Sequence, residues 1–230
     1  MHPEGRTHHV GINYILSPPP DIDKKYYLDF QRALVDEGID FDSGGDTPEI
    51  HIERKTPPLQ IRVLASKEAP VGQLLIIAPR PDRAPDAFGK EAEAIVRAFK
   101  NTWRTSMQIL SCDSTIRYLY ETTGEHAFQE LWETRLKQPK ASLNTLSKPV
   151  LGGGLRFVMP PIPGEPDPTQ IEVKIESYLQ DSRKIFVEVE FKWPQPKAAD
   201  TPFDPMNRLM IVENYIEKQV KPFIEEGHNE

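Results

Sequence analysis

Residues 171–193 read IEVKIESYLQDSRKIFVEVEFKW, and this stretch decides the class of fold. Ile171, Val173, Ile175, Ser177 and Leu179 point to one side of an extended chain, while Glu172, Lys174, Glu176 and Tyr178 point to the other. Past a polar turn at Gln180–Arg183 the alternation resumes. Ile185, Val187, Val189, Phe191 and Trp193 share one face, and Phe186, Glu188, Glu190 and Lys192 occupy its reverse. Strand side chains alternate with a period of two, so the stretch is an antiparallel hairpin, apolar on one side and mostly charged on the other. Helices are then needed to cover the apolar side.

Working outward, Asp204 can cap a terminal helix that has Pro205 at its first position, where a missing N–H is no loss. Leu209, Val212, Ile216, Val220 and Phe223 make its apolar stripe. Upstream of the hairpin, Leu155–Met159 reads as a strand preceded by Gly152-Gly153-Gly154. Thr122-Thr123-Gly124-Glu125 matches a capping box and predicts a helix with Phe128, Leu131, Trp132 and Leu136 on its inner face. Before it, Met107–Glu121 mixes β-branched, aromatic and polar residues and is long enough for a bent strand.

The first half follows the same order. Val10, Ile12, Tyr14 and Leu16 predict a strand that ends at Pro18-Pro19-Pro20, and Asp23–Glu37 predicts a helix stopped by Gly38. Beyond the turn-rich residues 42–46, Glu49–Arg54, Gln60–Ala65 and Gln73–Ala78 read as a meander of three strands. Phe88, Ala92, Ile95, Phe99 and Trp103 then recur at helical spacing. The expectation is an α+β protein built from two pseudo-duplicated strand, helix, strands, helix units, residues 1–105 and 106–230, packed as one compact body. A mainly antiparallel sheet carries the helices on one face.

Composition narrows the function classes. Lys and Arg number 28 against 35 Asp and Glu, a formal charge of -7, which disfavours a general affinity for nucleic acid or an anionic membrane. Cys112 is the single cysteine, so no intrachain disulfide can form and a reducing cytoplasm is the expected setting. No stretch reaches the roughly 20 apolar residues of a membrane span. The first 20 residues lack the apolar core of a secretion signal. The 23 prolines gather in clusters that punctuate the elements.

No catalytic set assembles from these residues. None of the six histidines has a histidine partner at the helical spacing of a metal site, and the strand-bound pair His8-His9 should point to opposite faces. Cys112, beside Asp113, reads as a structural cysteine rather than a nucleophile with His126 as base. Gly152-Gly153-Gly154 is a possible ligand-contacting loop, although a strand follows where phosphate loops have a helix. Pro160–Pro168 reads as a stiff connection rather than a proline-rich recognition segment. Tyr178, Phe186 and Trp193 make a possible interface, since Phe186 is a large apolar residue on the charged side of the hairpin.

STIRYLYET at 114–122, GGGLRFVMP at 152–160 and VENYIEKQVKPFIEE at 212–226 resemble a sporadically distributed family of uncharacterised prokaryotic proteins of similar length. That resemblance implies no activity, cofactor or site residue. The leading expectation is a binding or assembly module that self-associates, with no metal or redox cofactor and no enzymatic role. The alternative is a small-molecule binder or enzyme with a pocket between sheet and helices. Nucleic-acid binding comes third. The strand and helix order is similar to the duplicated saddle of TATA-binding proteins, but Glu172, Glu176, Glu188 and Glu190 outnumber Lys174 and Lys192 on the open side of the hairpin.

Overall fold

The apolar residues of the first strand, β1 (Arg6–Ser17), fall at every second position, and Val10, Ile12, Tyr14 and Leu16 are all buried. β1 pairs on both sides, with β5 (Gly72–Pro79) and with β6 (Gln108–Glu121). The computed structural model describes residues 5–66, 68–81, 83–104, 107–122, 124–164, 168–193 and 202–225. Thr123 of the expected capping box, residues 165–167 of the proline-rich connection, His2 and His228 lie outside them.

The remaining strands are β2 (Ser43–Gly45), β3 (Ile50–Arg54), β4 (Leu59–Ala65), β7 (Gly154–Met159), β8 (Gln170–Ser177) and β9 (Lys184–Trp193). The nine strands among the described residues form one antiparallel sheet in the order β2-β3-β4-β5-β1-β6-β9-β8-β7. Apart from β2, which the sequence presents as a turn, the order reads the same outward from the β1–β6 pair in both directions. Each half runs strand, helix, meander, helix, and the last strand of each meander pairs with the first strand of its half, β5 with β1 and β9 with β6.

The helices lie on the apolar face. α1 (Lys24–Asp36) is capped by Asp23, whose side chain accepts from the Tyr26 N–H at 2.9 Å, and it ends at Gly38, whose φ of 77° suits glycine. α2 (Pro85–Thr102) buries Phe88, Ala92, Ile95 and Phe99. It meets α4 (Pro205–Tyr215) so closely at Gly89 that a Cβ there would stand 2.4 Å from the Met206 sulfur. Phe30, Phe99, Trp103 and Phe203 pack edge to face or tilted where α1, α2 and the approach to α4 converge. Leu209, Val212, Ile216 and Val220 are buried as their spacing predicts, through α4 and the π-helical turn Ile216–Val220 into α5 (Lys221–Glu225), whereas Phe223, the fifth residue of the expected stripe, is 48% exposed.

Two helix starts differ from the sequence reading. Thr122 belongs to the end of the sheet, because its N–H bonds the Arg183 carbonyl and its hydroxyl donates to the Gly124 carbonyl. It therefore caps nothing. α3 (Ala127–Gln129) starts after His126, whose ring accepts from the Phe128 N–H, and continues as a π-helical segment, Glu130–Arg135. Asp204 does precede α4 and its carbonyl accepts from the Arg208 N–H, but with φ 45° and ψ 53° its side chain accepts from the Asn207 amide rather than from a helix N–H.

Candidate binding surface

The two halves cover their sheets unequally. In the first, the 13 residues of α1 lie alongside α2. In the second, α3 is one turn long and its π-helical extension reaches little of the outer sheet. β7 and β8 are thus left with an open cleft of about 530 Å³ between themselves and the terminal helices. Phe157, Met159, Val173, Ile175, Tyr215, Val220 and Phe223 line it. The Phe157 and Phe223 rings meet edge to face at 5.6 Å, and the Tyr215 hydroxyl lies 3.5 Å from the Met159 sulfur.

The two sheet edges differ in the same sense. β2 ends the sheet with three residues, Ser43–Gly45, between Asp42 and Asp46, the usual way in which an edge is kept from pairing. β7 ends the other side with six residues, GLRFVM, of which Phe157 is 38% and Val158 53% exposed. Leu151 and Ile162 on its two flanks are 77% and 61% exposed. A long apolar edge of this kind offers unpaired backbone groups to a further strand.

On the open face of the second half, charges alternate across four strands. Arg117 of β6 bonds Glu188 of β9, Lys174 of β8 bonds Glu188 and Glu172, and Arg156 of β7 holds Glu172 through two hydrogen bonds of 2.9 and 3.0 Å. The Arg156 bonds hold the Glu172 carboxyl below its ordinary range. Burial raises the Glu188 pKa, but bonds from Lys174 and Arg117 outweigh it and leave that group lowered as well. Toward the first half amides join the face: Gln73 donates to Asn13, and Asn13 donates to the Asp113 carboxylate at 2.9 Å. Burial there raises the Asp113 pKa.

The residues singled out in the sequence do not form one site. Trp193 is buried on the helix side, opposite Cys112 and under the Arg208 guanidinium at 4.7 Å. Phe186 stands half-buried on the opposite face, across from Leu119 and Glu176. Tyr178 leaves β8 at the turn, where its hydroxyl bonds Gln180 and its ring meets His8 edge to face. The three glycines serve the approach to β7. A Cβ on Gly154 would lie 2.0 Å from the Ile175 carbonyl oxygen, one on Gly152 would meet Leu179 and Ser177, and one on Gly153 would meet the Phe128 ring.

A bulge at Thr7/His9 breaks the strand alternation that set His8 against His9, and both rings feel the Arg117 charge. Burial and then Arg117 lower the His9 pKa to about 4. Cys112 is buried, and burial pushes its thiol up to about 12, so it stays protonated at neutral pH. Among the described residues no three His, Cys, Asp or Glu side chains gather as a metal site. No helix among them is long and apolar enough to cross a membrane. A pocket between sheet and helices is among the sequence expectations, but its place is not, because its opening depends on how short α3 is and the capping-box signal overstates that helix.

No family model and no curated protein matches the chain. Among solved structures it is similar to DynU16, a protein in the dynemicin biosynthetic locus, at 12% identity and a TM-score of 0.26 over 94% of this chain and 98% of that one. A likeness at that score supports no structural or functional inference.

Proposed function

We propose that the chain is a non-enzymatic assembly module that self-associates through β7. The observation that carries this reading is the exposed apolar edge Gly154–Met159 beside an uncovered cleft. The strand is self-complementary. In an antiparallel pair centred on Phe157, Leu155 faces Met159 and Arg156 faces Val158 of the second copy. Each side chain then keeps its face of the sheet, and the apolar triad runs on across a two-fold axis. The two Arg156 residues become diagonal neighbours across the axis, and each keeps its own Glu172, which matches its charge. A cytoplasmic setting, an origin of the two halves by internal duplication, and membership of the prokaryotic family that the sequence resembles belong to the same proposal.

Sedimentation of the full chain between about 1 and 100 µM tests it. A dimer that becomes a monomer on Phe157→Lys with Val158→Lys, at unchanged helix and strand content, supports it. A wild-type monomer at the highest concentration overturns it.

The cleft favours a second reading, in which it takes a small apolar molecule between sheet and helices. A ligand bound only by the native state raises the melting temperature, and Phe223→Asp should abolish that rise. The charge ladder speaks against nucleic acid, since its cations are already matched by Glu172 and Glu188.

A further inference from the structure

A second recess, of about 580 Å³, lies beside the approach to β7, between the π-helical segment that follows α3 and the 3-10 helix Lys140–Leu146. One wall is aromatic: the Phe128 and Trp132 rings stack with centroids 6.1 Å apart and planes 23° from parallel. Leu143, Pro149 and Val150 stand on the other wall. Lys140 and Lys148 line it against a single carboxylate, Glu133, which leaves an excess of one positive charge. His126 also lines it, and its Nδ1 already accepts from the Phe128 N–H, so the neutral ring carries its proton on Nε2 as a donor.

Two features of the backbone accompany these side chains. π-Helical turns are rare and concentrate at functional sites, and this one carries Trp132. Ser147, at the end of the 3-10 helix, sits in the left-handed region with φ 60°, a conformation that a non-glycine residue holds against its preference. Apolar walls with a few convergent polar groups are the usual form of a small-molecule site.

We propose that this recess binds a small aromatic acid, its ring against Phe128 and Trp132 and its carboxylate toward Lys140 and Lys148. Ring stacking supplies contact area, and the lysines select the anion. Both lysines are exposed, so replacing them leaves the core untouched.

Calorimetric titration of the full chain with 2-naphthoate, with 2-naphthalenemethanol as the neutral analogue, tests the assignment. The acid should bind saturably at one site. The alcohol should bind at least tenfold more weakly, and Lys140→Gln with Lys148→Gln should weaken the acid by a similar factor at an unchanged melting temperature. No saturable binding of 2-naphthoate up to millimolar concentration, equal affinity for acid and alcohol, or an unaffected double variant would each overturn it.

Discussion

The Tyr14 hydroxyl donates a 2.7 Å hydrogen bond to the carbonyl of Phe203, 189 residues further along the chain. Tyr14 is fully buried, and its ring also meets the Phe203 ring at 4.8 Å. The bond ties β1 to the segment that launches α4. Tyr14→Phe keeps the ring and leaves the Phe203 carbonyl with only the longer 3.3 Å bond from the Arg208 Nε, so it should cost about 1 kcal/mol in urea unfolding. A loss under about 0.3 kcal/mol would mean that the link adds nothing to the docking of α4.

Arg54 sits at the end of β3 with its side chain 6% exposed and every branch engaged. It bonds the Pro57 carbonyl, Asp40 and Glu91 at 2.7–2.8 Å, and Arg83 holds the second Glu91 oxygen. Removing the buried Glu91 carboxylate takes a partner from both guanidinium groups and leaves Arg54 with the exposed Asp40 as its carboxylate partner. Glu91→Ala should therefore cost about 3 kcal/mol by denaturant unfolding. Asp86→Ala, which breaks the exposed Lys90–Asp86 pair on the same helix, should cost under about 1 kcal/mol.

The alternation along residues 171–193 and along β1 made the sheet and its buried side legible before any coordinate, because a strand with one covered face must repeat every second residue. The helix stripes were legible for a similar reason. Other features were not. Leu179 continues the apolar alternation yet is 78% exposed, since β8 ends at Ser177 and the turn begins. The cleft and the aromatic recess both depend on where α3 starts. Thr122 and Glu125 have a local preference to cap a helix, but the sheet claims Thr122 through Arg183. Whether the surface at Tyr178, Phe186 and Trp193 meets a partner is not legible either, because a single sequence says nothing of which face its neighbours leave open.

His9 offers a test of the open face by pH. Its folded pKa of about 4 lies below the ordinary value of 6.5, through burial first and the Arg117 charge second. Below pH 6.5 the unfolded chain therefore takes up a proton that the folded chain refuses. Stability is full above pH 6.5 and falls until pH reaches about 4, where the folded state protonates too. Within that window this one group can contribute a slope of up to about 1.4 kcal/mol per pH unit. Asp113 and Glu213, whose pKa values burial raises, act in the opposite sense, because on acidification they take protons more readily when folded. The raw stability curve mixes these effects, whereas the difference between wild type and His9→Gln isolates the histidine. That difference should change steadily between pH 6.5 and 4 in favour of the variant and be flat above pH 7. A difference that is flat throughout would mean that His9 is solvated and that the Arg117 side of the open face is more accessible than the structure shows.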